Sequence, residues 1–218
     1  AVIATKLLTR FLPAAAVVAG LLIAAPAADA GKKKPVKASV ALGDKRPAKA
    51  HIGAAKKTKA RRAAVTCTNT DVMPTPETLE LVEDALLCLH NQVRAERGLP
   101  SLRRNARLAR AALSHSTAMV KEGFFEHTGL DGDTFVDRIL AARYVKRNDA
   151  WTLGENLAWG TGELSTPAEI MRAWMNSSGH RANIVKKAYR EIGIGIRLGV
   201  PSDPGVGATI TATFGAKL

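Results

Sequence analysis

Three short segments, far apart along the chain, each offer one ionisable side chain beside glycine and apolar residues. His127 follows Phe124-Phe125-Glu126 and precedes Thr128-Gly129; Glu155 stands in Gly154-Glu155-Asn156-Leu157; His180 stands in Ser178-Gly179-His180-Arg181. Two imidazoles and a carboxylate are the donor types that hold Zn²⁺ or another divalent ion. With the carboxylate as base, such a set could also activate a metal-bound water. The long separations form no metal motif by themselves, so each residue has to be weighed in its local setting.

If residues 153–159 are extended, Glu155 shares a face with Leu153, Leu157 and Trp159. A carboxylate on an apolar face needs a cation, a metal or several donors, because bare burial is very costly. A structural anchor accepting backbone N–H bonds satisfies that demand as well as a working acid does. His180 falls in the first turn of a short helix expected after Ser178, where the positive helix end disfavours the imidazolium. A neutral imidazole suits a ligand or a base, and it equally suits a histidine hydrogen-bonded within a turn. His127 lies outside any helical stripe, which places it on a loop. His115 shares a stripe with Leu108 and Met119 and reads as a core histidine; His90 and His51 have no chemical context. Asn176-Ser177-Ser178 is formally a glycosylation sequon, discounted because it interrupts the segment that carries His180.

The chain lacks a His-Glu-x-x-His pair, a phosphate-cradling loop and a Gly-x-Ser-x-Gly elbow, which excludes the hydrolase and nucleotide-binding classes those motifs define. Its two cysteines, Cys67 and Cys88, read as one disulfide in a secreted setting and leave no catalytic thiol.

The elements that must position these residues are legible from periodicity. Thr75-Pro76-Glu77 has the composition of a helix start, and Leu79, Val82, Leu86, Leu89 and Val93 form a buried stripe that Gly98 ends. Asn105 caps a second helix with Leu108, Ala111, Ala112, His115 and Met119 on one face. A third helix follows Asp133, and Thr166-Pro167-Ala168-Glu169 reads as a capping box opening a fourth. The C-terminal part has period two: Ile192, Ile194, Ile196 and Leu198, then Ala208, Ile210, Ala212 and Phe214 alternating with threonines. That is an antiparallel hairpin with one buried face. Helices first and a small sheet last define an α+β domain.

The rest of the chain is of another kind. Residues 1–30 carry Lys6 and Arg10, an apolar run from Phe11 to Ala25, and Ala28-Asp29-Ala30. This is the pattern of a secretory signal peptide cleaved before Gly31. Residues 31–64 hold twelve Lys/Arg against one acid, Asp44, and no aromatic residue, the composition of a disordered basic tether. Of the total net charge of +13, +11 lies in the tether and +1 in residues 1–30, so only +1 remains for 65–218. A near-neutral domain argues against nucleic acid as the partner. Anionic cell-envelope polymers or lipid head groups fit the tether, as does a spacer without a specific partner.

Four stretches together resemble the bacterial branch of the CAP superfamily (cysteine-rich secretory proteins, antigen 5 and pathogenesis-related proteins). They are Cys88-Leu89-His90-Asn91-Gln92-Val93-Arg94, the Phe124-Phe125-Glu126-His127 segment, the Gly154-Glu155-Asn156-Leu157 run, and Trp174-Met175-Asn176-Ser177-Ser178-Gly179-His180-Arg181-Ala182-Asn183-Ile184. The resemblance implies an α-β-α sandwich over residues 65–218 and a central cavity into which His127, Glu155 and His180 point. Relatives from plants and animals carry a second acid after the tryptophan of the fourth helix, where this chain has Asn176 and Ser177; Glu191 is the candidate substitute. The function implied is a secreted, monomeric protein acting outside the cell or at its envelope, binding a lipid-like ligand or a metal ion. The alternatives are a metal-dependent hydrolase using His127, His180 and Glu155, and an envelope-attached structural protein.

Overall fold

A computed structural model describes residues 66–218. The expected signal peptide, the tether and His51 lie outside the described residues. Five helices, α1 (Leu79–Glu96), α2 (Ala106–Glu122), α3 (Phe135–Ala141), α4 (Pro167–Asn176) and α5 (Ser178–Ile184), surround four strands, β1 (Arg103–Arg104), β2 (Trp151–Gly160), β3 (Glu191–Val200) and β4 (Asp203–Lys217). The sheet runs β1-β3-β4-β2. Its three long strands are antiparallel, and the two-residue β1 adds a parallel pairing on β3. Helices cover both faces, the α-β-α sandwich expected. None of the described helices is long and apolar enough to cross a membrane.

One face of the sheet presents Ile192, Ile194, Ile210, Ala212 and Phe214 to Val82 and Leu86 of α1, Ile170 and Trp174 of α4, and Ile184 of α5. Alternation along the hairpin predicts one buried face, but the opposite face is buried as well. Thr209, Thr211 and Thr213 are buried. A Cβ at Gly193 or Gly195 would collide with the backbone nitrogens of Ala109 and Leu113, so α2 rests directly on the glycines. The threonine hydroxyls are satisfied there: Thr213 donates to the Leu108 carbonyl (3.0 Å) and Thr211 shares a 2.8 Å bond with Ser116. A threonine face can be buried when a helix supplies its partners.

Two helix starts differ from expectation. Thr75 does not cap α1, which begins one turn later. The Thr78 hydroxyl accepts from the Thr75 N–H (2.8 Å) and donates to the Met73 carbonyl (2.7 Å), closing a separate turn. Nor does Thr166 form a capping box. Its hydroxyl donates back to the Glu163 carbonyl (2.8 Å), Glu169 pairs with Arg172, and the Thr70 carbonyl accepts from the Ala168 N–H (2.9 Å). Asn105 caps α2 as expected, accepting from the Arg107 and Leu108 N–H groups. The Cys67–Cys88 disulfide is formed, with Cα atoms 5.7 Å apart.

Long polar side chains lock the elements together. Arg94, buried on α1, donates to the carbonyls of Pro100, Ile184 and Lys186 at 2.8–3.0 Å, tying α1 to the end of α5. Asn91 exchanges two bonds with the Leu102 backbone. The free edge of β2 is closed at alternate residues: Tyr189 donates to the Leu153 carbonyl (2.7 Å), Asn183 to that of Glu155 (3.0 Å) and Trp174 to that of Leu157 (2.9 Å). An uncovered edge of this length would invite pairing with another chain.

The end of α3 has its own peculiarity. The Tyr144 N–H donates to the Ile139 carbonyl and the Arg143 N–H to that of Leu140, the paired bonds that usually terminate a helix on glycine. The left-handed residue here is Arg143, at φ 59°. A side chain in that conformation costs roughly 1 kcal/mol or more.

Candidate functional site

The site straddles the free edge of β2. From one side comes the loop joining α2 to α3, which carries His127; from the other comes α5, which carries His180. Both approaches are fixed by polar contacts. The His115 Nε2–H donates to the Glu126 carbonyl (2.8 Å), its ring edge packs on Phe124, and Arg138 donates to the His127 carbonyl (2.9 Å). On the other side Asn156 of β2 donates to the His180 carbonyl (3.1 Å), and Asn183 donates to the Asn156 side chain (2.9 Å). His115 is thus the core histidine expected, and it also braces the loop that bears His127.

Glu155 faces α3. Arg138 donates to both of its oxygens (3.2 and 3.1 Å), and His127 Nδ1 lies 2.9 Å from Oε1. The side chains of Glu155 and Arg138 are 1% and 6% exposed, whereas that of His127 is 53% exposed. Arg138 also holds Asp133 (3.0 Å). The carboxylate is therefore compensated and sealed, and only the imidazole above it reaches solvent. With Nδ1 donating to Glu155, the Nε2 lone pair of His127 is left to face outward, the way a carboxylate orients a metal-binding histidine.

His180 is half-buried, and its imidazole is held below the usual histidine range, first by burial and then by the electrostatic influence of the His127 ring. The two rings are electrostatic neighbours, and His180 favours its neutral form. Glu191 lies elsewhere. Strand β4 separates it from β2, since Glu191 pairs with Gly215 and Gly215 with Leu153. Its carboxylate accepts from Tyr144 (2.7 Å) and Asn105 (3.1 Å).

As a metal centre the constellation offers two imidazoles. Among the described residues no group of three His, Cys, Asp or Glu side chains could hold an ion. Both oxygens of Glu155 are engaged by Arg138, so the glutamate stands behind His127 rather than beside it as a third ligand. Catalytic zinc sites use three protein ligands and structural ones four; the residues here fit neither pattern.

Arg138 had no signal in the sequence. On a seven-residue helix an arginine reads as solvated, and only the folded chain brings it against Glu155. Trp174, Asn183 and Tyr189 carry the edge contacts of β2, and the edge position of β2 was not legible either.

A sandwich of this topology, with one histidine approaching a Gly-Glu-Asn edge strand from the α2–α3 loop and another from α5, is the arrangement of a CAP (SCP) domain. The family model for the cysteine-rich secretory protein family matches residues 87–202, and the chain belongs to that family. It is 30% identical over 143 residues to the uncharacterized protein YkwD of Bacillus subtilis (strain 168), covering 65% of this chain and 53% of that protein. It is 29% identical over 114 residues to the uncharacterized membrane protein YlbC of the same organism, covering 52% and 31%. The chain thus spans about half of the one relative and a third of the other. Among solved structures, an extracellular SCP-domain protein from Bacillus anthracis superposes with TM-score 0.51 at 25% identity, covering 65% of this chain and 43% of that one. An outer surface protein of Borrelia burgdorferi superposes with TM-score 0.52 at 20% identity, covering 67% and 97%; at that identity the likeness is one of fold.

Proposed function

We propose that this chain is a secreted binding module, acting outside the cell or at its envelope, whose site is the His127–His180 pair. The observation that carries the reading is the sealed state of Glu155. An acid or base must come within hydrogen-bond reach of its substrate, and the carboxylate at these imidazoles is buried beneath Arg138 and His127. Two imidazoles are fewer protein ligands than catalytic or structural zinc sites use, so a divalent ion such as Zn²⁺ would be held weakly and exchangeably. Its remaining positions are open to water or to an anionic or carbonyl group of the molecule being bound. This supports binding over metal-dependent hydrolysis.

The extracellular description of the Bacillus anthracis neighbour and the signal-like residues 1–30 support secretion. The basic segment 31–64 adds non-specific attraction to anionic envelope polymers or lipid head groups.

Calorimetric titration with Zn²⁺ tests the site. The expected result is saturable binding that His127→Ala and His180→Ala each abolish without changing the melting temperature. Heat that persists undiminished in both variants, or none in the native chain, overturns the reading.

A further inference from the structure

Away from the β2 edge, an open cleft of about 470 Å³ is lined by Arg107, Leu140, Arg143, Val145, Lys146 and Arg147. Arg147 faces Asp137 (3.3 Å). Among the described residues, Arg107, Arg143 and Lys146 have no carboxylate within ion-pair distance. The nearby Asp149 accepts from the backbone N–H of Lys146 (2.8 Å) rather than from its ammonium. Residues 65–218 carry a net charge of only +1, so three uncompensated cations around one opening are a local concentration.

A second observation points to the same place. Arg143 occupies the left-handed position after α3, where glycine would relieve the backbone. The strained residue is one of those lining the cleft, and Arg107 donates to the Arg143 carbonyl (2.8 Å), fixing the turn. Strain kept at one residue is a recognised mark of a working site.

We propose that this cleft binds a phosphomonoester with an apolar substituent. A monoester carries roughly −1.5 to −2 charges at neutral pH, which suits three free cations better than a single carboxylate does. Guanidinium forks match phosphate oxygens in pairs. The exposed part of Leu140 gives the organic substituent an apolar surface beside the charged rim. The reading is independent of the His127–His180 site.

The test is calorimetric titration of the full chain with n-octyl phosphate, inorganic phosphate and n-octanol. The native chain is compared with an Arg143→Gly, Lys146→Gln double variant. Residues 31–64 are common to both chains, so any affinity of theirs cancels. The expected result is saturable binding of octyl phosphate that the double variant weakens by about tenfold or more, with inorganic phosphate weaker and octanol silent. Because glycine fits the left-handed backbone, the variant should melt at or above the native temperature, and lost binding then reports the cleft. Equal affinity in both chains overturns the site, octanol matching octyl phosphate overturns the anionic ligand, and inorganic phosphate matching it overturns the apolar substituent.

Discussion

Arg138 grips both carboxylate oxygens of Glu155 at 3.2 and 3.1 Å, and neither side chain is open to solvent. An acid expected to face a ligand is instead the partner of a buried arginine, and His127 is the group that the pair presents.

Removing one member of such a pair strands the other. Arg138→Met should destabilise the fold by about 3–5 kcal/mol, measured by urea denaturation. The double change Arg138→Met with Glu155→Leu should recover much of that loss. A single-variant cost below about 1 kcal/mol would mean that Glu155 finds other compensation.

Stability should depend on His90. It is fully buried between Trp174 and Phe214, its Nδ1–H donates to the Leu86 carbonyl (2.7 Å) and its Nε2 has no partner. Burial lowers its pKa to about 4. Between about 6.5 and about 4 the unfolded chain binds the proton and the folded chain does not, so stability is complete above the upper value and declines as pH falls. The loss is about 3 kcal/mol. His115 and His180 are shifted in the same direction. Denaturation midpoints of His90→Leu should fall less steeply through this window; an unchanged slope would refute the assignment.

The β2 edge supplies a third expectation. Asn183→Leu removes the donors to the Glu155 carbonyl and to Asn156. It should cost about 1–3 kcal/mol and make the protein associate at high concentration. Light scattering checks the second effect, and a fully monomeric, fully stable variant would contradict it.

The helical stripes, the Asn105 cap and the period-two strands were readable because each is a local pattern. Gly193 and Gly195 were readable as strand residues but not as the floor on which α2 rests, since that contact joins residues about eighty apart. The same limit hid Arg138 and the burial of the threonine face. Thr166 misled for another reason: its hydroxyl turns back to donate to the Glu163 carbonyl and accepts from none of the N–H groups of the helix it precedes. Within the site His127, Glu155 and His180 could be named from motifs, but the order in which they face solvent depends on Arg138.

For residues 31–64, binding to anionic envelope polymer or vesicles of anionic lipid should fall steeply with added salt. A chain beginning at Val65 should lose most of it. Equal retention by both chains would leave the segment a spacer.

Ring-nitrogen NMR during Zn²⁺ addition reads directly which atoms of the site are offered to a ligand. Of the five histidines, only His127 and His180 should shift, with His127 binding through Nε2 while Nδ1 keeps its proton toward Glu155. Coordination through Nδ1 of His127, or shifts confined to other histidines, would contradict it.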